Sequence, residues 1–192
     1  MTAFRAILLL TFSGLVLSEE GTFFDPCNKD DTTCLATATQ NFLEKSYLGL
    51  PAYDIKPIDP LIIPSLVVNV DKHLGLRFLF TNLNVTGLKQ QQFYDYHMDT
   101  IKKSVVLKMK VDLNIVGSVT MELAKKSKAF SGVYSATANS DAKYAKSDYE
   151  THKVALRKKT LCNIVEKAYV TVIHNLRASA KILPKTAFFK DI

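Results

Sequence analysis

SVVLKMKVDLNIVGSVTMEL, Ser104 to Leu123, alternates along almost its whole length. Val105, Leu107, Met109, Val111, Leu113 and Ile115 fall on one side; Val106, Lys108, Lys110, Asp112, Asn114 and Val116 fall on the other. Past Gly117 the first set continues through Val119, Met121 and Leu123. Successive side chains of a strand point to opposite faces, so one face of this segment is built for burial. The alternation persists over about nineteen residues, where strands usually hold about 5–6. A strand that long with one apolar face has to curve around something, and Gly117 is the position where it could bulge or bend.

Working outward, LGLRFLF (Leu74–Phe80) repeats the pattern with Leu74, Leu76, Phe78 and Phe80, and KAFSGVYSATA (Lys128–Ala138) repeats it more weakly. NSDAKYAKSDYETHK (Asn139–Lys153) is polar and is read as breaking it. Upstream, LPAYDIKPIDPLIIPSL carries four prolines between Pro51 and Pro64. Proline removes a donor and favours extended backbone, so this stretch reads as a linker feeding an edge strand.

A helix lies at each end. TTCLATATQNFLEKSYLG (Thr32–Gly49) places Leu35, Ala38 and Phe42 at helical spacing, with Leu43 widening the stripe and Gly49 ending it. From Leu161 a longer stripe runs through Val165, Ala168, Val172, Leu176, Ala180 and Leu183 and stops at Pro184. Beyond it, Phe188 and Phe189 sit in a short tail that must dock or be exposed. The fold class expected is α+β, a long C-terminal helix wrapped by a strongly curved antiparallel β-sheet, with a shorter N-terminal helix.

The first eighteen residues read as a leader. Arg5 precedes an apolar run from Ala6 to Leu17, and Ser18 supplies the small residue at the junction. The run falls short of the roughly 20 apolar residues of a bilayer span, so cleavage after Ser18 and export are expected, with no stable membrane insertion. Residues 19–192 then form one domain. The chain holds 25 Lys+Arg against 18 Asp+Glu. The cations are scattered or alternate along strands, and with export this reads as a solvated basic surface without a nucleic-acid partner.

Export also bears on the three cysteines, because disulfides persist in oxidising compartments. Cys27 and Cys34 flank a polar, turn-prone loop and are expected to pair. The alternative, a metal site, lacks a nearby His or second Cys pair at ligand spacing. Cys162 is then the odd thiol, at the head of the final helix. Asn84-Val85-Thr86 is a glycosylation sequon.

No catalytic constellation stands out. There is no G-x-S-x-G elbow, no H-E-x-x-H and no glycine-rich phosphate loop; His73, His97, His152 and His174 are scattered. No enzyme activity, cofactor or metal is expected. A curved sheet over an amphipathic helix encloses apolar volume, and Phe42, Val165, Val172 and Leu176 either line a ligand pocket there or fill ordinary core.

A resemblance adds to this reading. PCNKDDTTCLATATQNFLEKSYLGLPAYDIKPIDPL, with its paired cysteines and the Gly-x-Pro-x-Tyr-Asp-Ile-x-Pro-x-Asp-Pro run from Gly49 to Pro60, resembles the start of the insect haemolymph juvenile hormone binding proteins. FTNLNVTGLKQQQ, DLNIVGSVTMEL and VIHNLRASAKILPKTAFF are similar to that family too, which is related to the takeout family; the moth carriers fit best. The resemblance implies an apolar pocket for a sesquiterpenoid epoxy ester, transport through haemolymph, and protection of the hormone from esterases. It implies a tyrosine anchoring the epoxide, for which Tyr144 is the nearest match; an exposed loop tyrosine is the alternative. It further implies that several dozen residues are missing between about 140 and 160, including the cysteine that pairs with the one matching Cys162.

Two functions therefore stand as expectations. One is a secreted carrier of juvenile hormone or a similar apolar terpenoid ester, monomeric. The other is a shortened isoform that holds no ligand and acts as an interaction partner or as a dimer through Cys162.

Overall fold

The computed structural model describes residues 23–71, 73–99, 101, 104–123, 128–147, 150–152 and 159–191. The leader expected at 1–18 lies outside them. Two helices, α1 (Thr32–Ser46) and α2 (Lys159–Ile182), accompany six antiparallel strands. These are β1 (Leu61–Asp71), β2 (Leu76–Thr86), β3 (Gln92–Asp99), β4 (Ser104–Leu123), β5 (Lys128–Ser147) and β6 (Glu150–His152). The sheet order is β1-β2-β4-β5-β6, with β3 also on β4.

β4 is the spine. β5 pairs with it in unbroken register from Val105 opposite Lys146 to Leu123 opposite Lys128. Its other edge is shared: β2 covers Asn114 to Leu123, and β3 covers Ser104 to Lys110. Between those two strands the chain steps out through Gly87 and a short turn, Leu88–Gln90. Gly87 has φ +108°, and a Cβ there would lie 2.1 Å from the Asp112 carbonyl oxygen, so only glycine lets the turn lie so close to β4. The Asp59 carboxylate holds the same turn, accepting from the N–H groups of Gly87 and Lys89 at 3.0 Å each.

Burial follows the alternation. Leu107, Met109, Val111, Leu113 and Ile115 are all buried, whereas Lys110, Asp112, Asn114 and Val116 are exposed. A 20-residue strand is about 66 Å long at about 3.3 Å per residue, whereas the 24 residues of α2 span about 36 Å. Helix cover therefore ends before the strand does. Val119, Met121 and Leu123 are only half-buried, and beyond Gly117 the apolar face is filled in part by Phe80 and Tyr134, edge to face at 5.0 Å.

Two expectations need correction. The bulge near Gly117 belongs to β2: between the pairs Thr81–Ser118 and Asn84–Val116, Asn82 and Leu83 together face Gly117, and Asn82 takes φ +51°. Gly117 makes the room, since a Cβ there would meet Leu83 Cα at 2.9 Å. The polar stretch after Ala138 does not break the strand either. β5 continues to Ser147 and β6 pairs back on it, His152 opposite Ala145. Main-chain bonding to β4 holds this end without an apolar rhythm, with Asp141 in register with Lys110 and Asn139 with Asp112. Leu74 lies in the turn between β1 and β2 and is exposed.

The proline-rich linker feeds an edge strand as expected: β1 pairs only with β2, and Pro64 sits where its missing N–H faces no ladder partner. α1 is capped by Asp31, whose carboxylate accepts from Cys34 N–H at 2.9 Å. It buries Leu35, Ala38, Thr39, Phe42, Leu43 and Ser46, the face the stripe predicts.

A clasped apolar cavity

The apolar stripe of α2 divides in two. Val165, Ala168 and Val172 are fully packed into the core, beside Ile164 and Tyr169. Farther along, the packed face turns to Thr171, Asn175, Ala178 and Ser179, and Leu176, Ala180 and Leu183 are left facing a cavity of about 360 Å³. α1 contributes Leu35, Ala38 and Thr39 to its wall, and the sheet contributes Tyr96, Val105 and Leu107.

The remaining wall comes from the two ends of the described chain. Phe24 stacks on Phe42 at 4.5 Å and meets Phe188 at 4.7 Å. The main chains clasp beside these rings: Cys27 N–H donates to Phe188 C=O at 2.9 Å, and Lys190 N–H donates to Cys27 C=O at 2.9 Å. Lys29 N–H adds a bond to the Asp191 carboxylate at 3.0 Å. The Cys27–Cys34 disulfide, with Cα atoms 5.7 Å apart, ties this clasp to the first turn of α1. The tail that had to dock or be exposed is docked.

Polar groups in the wall are few. The Thr39 hydroxyl donates to Leu35 C=O at 2.7 Å, and the Ser179 hydroxyl donates to Leu176 C=O at 2.9 Å. Both are engaged with their own helices. Asp25, Arg177 and Lys185 also border the cavity, but they are exposed and so stand at its rim. Tyr96 is different: burial pushes its phenol above the ordinary value of 10.0, so it stays an O–H at neutral pH. The Tyr134 phenol, on the far part of the sheet, is raised for the same reason.

Such a space is apolar, half-open to solvent and within the usual range of about 300–1,000 Å³ for small-ligand pockets. A larger groove of about 650 Å³ runs between the outer side of α1 and β3, but Thr33, Thr37, Gln40, Glu44 and Gln92 among its walls make it polar. No group of three or more His, Cys, Asp or Glu is placed to hold a metal among the described residues. No described helix is long and apolar enough to cross a membrane.

Of the residues singled out in the sequence, Leu176 lines the cavity. Phe42 is one layer behind it, under Phe24, while Val165 and Val172 are core. Tyr144 is a strand residue of β5, paired with Leu107, whose other neighbour across β4 is Tyr96. Asn84 is exposed on β2. Cys162 is half-buried in the first turn of α2, whereas the cavity draws on the C-terminal half of that helix. Sequence reading missed Phe24 and Tyr96; Tyr96 had a usable signal, since Phe93, Tyr94 and Tyr96 crowd a short stretch predicted neither as strand nor as helix.

The fold is that of the Takeout proteins: the crystal structure of Epiphyas postvittana Takeout 1 superposes with a TM-score of 0.67 at 16% identity, covering 86% of this chain and 99% of that one. Residues 6–139 match the family model for haemolymph juvenile hormone binding protein. A juvenile hormone-binding protein of Manduca sexta is 43% identical over 228 aligned positions, covering 92% of this chain and all of the relative. The chain belongs to the haemolymph juvenile hormone binding protein family.

Proposed function

We propose that this protein is a secreted carrier that holds juvenile hormone, or a similar apolar terpenoid ester, in the clasped cavity. The observation that carries the reading is the cavity itself, apolar on its walls and charged only at its rim, in a chain so close to a hormone-binding relative. An aliphatic ester leaves water readily for such a site, at about 25 cal/mol per Å² of apolar surface buried. Enclosure also keeps the ester carbonyl from water and from hydrolases, so the role is transport and protection with no chemical step. Asn84, exposed on a strand that export would bring to the glycosylation machinery, is the expected attachment point for a glycan.

The test is a titration of the purified protein with radiolabelled juvenile hormone, unbound hormone being removed with charcoal. Saturable one-to-one binding without release of the acid product is the expected result. No binding by a protein that melts cooperatively would overturn the carrier reading.

A second reading, a shortened form that no longer holds ligand, is supported by two observations. The family match ends at residue 139, and the alignment with the Manduca sexta relative spans 228 positions, more than the 192 residues of this chain. The outer edge of β5 also pairs with another described strand only at Ala145, Lys146 and Ser147, and Val133 on that strand is 82% exposed. An open edge invites pairing with a second chain. Light scattering and a non-reducing gel distinguish the readings: a dimer without hormone binding favours the short form, and a hormone-binding monomer removes it.

A further inference from the structure

We propose that the groove between α1 and β3 is a second binding site, and that it takes a small neutral molecule rich in hydroxyl groups, a polyol or a simple sugar. The groove and the apolar cavity have only Tyr96 in common among their lining residues, so the inference does not rest on the carrier reading.

Unmet amide atoms carry the argument. Gln91 lies between the Leu88–Gln90 turn and β3, lines the groove, and is fully buried. Neither its Oε1 nor its Nε2 has a hydrogen-bond partner among the described residues. Gln40 lines the groove from α1, and its Nε2 donates to Glu44 Oε1 and to Lys89 C=O, each at 2.9 Å. Both partners can only accept, which fixes the way round the amide stands and leaves its Oε1 buried and unmet. Two side-chain amides at one groove thus leave three atoms without partners. Buried polar atoms are nearly always bonded, so such a cluster calls for a partner from outside the chain.

What those atoms need fixes the class of ligand. Gln91 Nε2 requires an acceptor, whereas the two Oε1 atoms require donors. A hydroxyl group does both, and a molecule with several adjacent hydroxyls can serve all three. An anion is disfavoured, because the lining includes Glu44 and Asp95 but no Lys, Arg or His. An organic cation would face the Nε2 donor, and of the two carboxylates Asp95 is already paired with Lys108 at 2.7 Å. Size agrees: about 650 Å³ lies within the ordinary range for small ligands. Phe93 and Tyr94 in the wall add aromatic surface on which the C–H face of a sugar ring packs.

The same atoms give the site a signature in stability. A glutamine that served only the fold would have its amide bonded, and replacing it would cost stability. An unbonded amide burdens the fold instead, and an apolar residue of similar shape relieves that burden.

The experiment compares wild type with Gln91→Leu, which nearly keeps the volume and removes both unmet atoms. Each protein is melted, and each is titrated calorimetrically with methyl α-glucoside and with tetramethylammonium chloride. Gln91→Leu is expected to melt at or above the wild-type temperature and to bind the glucoside at least tenfold more weakly, the loss of one ordinary hydrogen bond. A second variant, Thr37→Trp, decides the matter should the first fail to fold. Thr37 is exposed on the α1 wall, so an indole there fills the groove without entering the core, and glucoside binding should again be lost. Equal glucoside affinity in wild type and either variant would overturn the site. Tighter wild-type binding of tetramethylammonium than of the glucoside would overturn the class of ligand. A wild type that binds no glucoside would overturn the proposal outright, and a lower melting temperature for Gln91→Leu would then assign the amide to a buried structural water.

Discussion

Asn175 grips the backbone of Lys56 with both ends of its side-chain amide. Lys56 N–H donates to Oδ1 at 2.9 Å, and Nδ2 donates to Lys56 C=O at 2.7 Å. Asn175 is fully buried on α2, 119 positions from its partner, so the grip fixes the helix to the linker that leads into β1. Replacing Asn175 by Ala leaves two part-buried main-chain groups unmet, and a loss of about 1–3 kcal/mol in urea unfolding is expected. Asn175→Asp removes the donor and buries a carboxylate, and it should destabilise at least as much. A change below about 1 kcal/mol in both variants would show that the grip is dispensable.

Gly117 and Gly132 make a matched test of the bulge. A methyl group on Gly117 would press on Leu83 Cδ2 at 2.8 Å and on its Cα at 2.9 Å, while one on Gly132 would meet nothing within 4 Å. Gly117→Ala should therefore cost about 1–3 kcal/mol as an overpacked core position. Gly132→Ala should stay within about 0.5 kcal/mol of wild type. Thermal melts of the two single variants decide it, and similar melting temperatures would mean that β2 does not press on β4 as described.

The clasp makes a separable prediction about ligand release. Breaking the Cys27–Cys34 bridge by substituting both with Ser frees a short loop, for which chain entropy gives about 2.5 kcal/mol. Phe188→Ala leaves the bridge intact but removes the ring against Phe24. Both variants should release bound hormone faster than wild type, and only the first should lose stability on the scale of the bridge. Unchanged release in Phe188→Ala would mean that the tail is not part of the barrier to exit.

How far the sequence revealed this molecule depends on how local each signal is. The alternation from Val105 to Ile115 identified the spine strand and its buried face, because period-two burial repeats at every step. The shift of the packed face of α2 from Val172 to Asn175 and Ser179 was not legible. Polar residues conceal it, and their burial depends on partners as remote as Lys56. For the same reason a stripe that looked uniform could not tell Val165 and Val172, which are core, from Leu176, which borders open space. The continuation of β5 past Asn139 was hidden too, since main-chain pairing with β4 requires no particular side chains. The tail phenylalanines were visible as apolar residues in need of cover, but their partner Phe24 lies at the other end of the chain.

That distance sets the order in which the protein can be made. Lys29 and Asp191 are 162 positions apart and bonded, with Cys27 held between Phe188 and Lys190 beside them. During synthesis the long β4–β5 hairpin can assemble as soon as it emerges, but the wall formed by Phe188 and Phe189 is still inside the ribosome. A nascent chain stalled before Phe188 would carry a formed sheet and an open, greasy gap. Closure of the cavity wall thus waits for residues 188–190, which are made after the whole sheet.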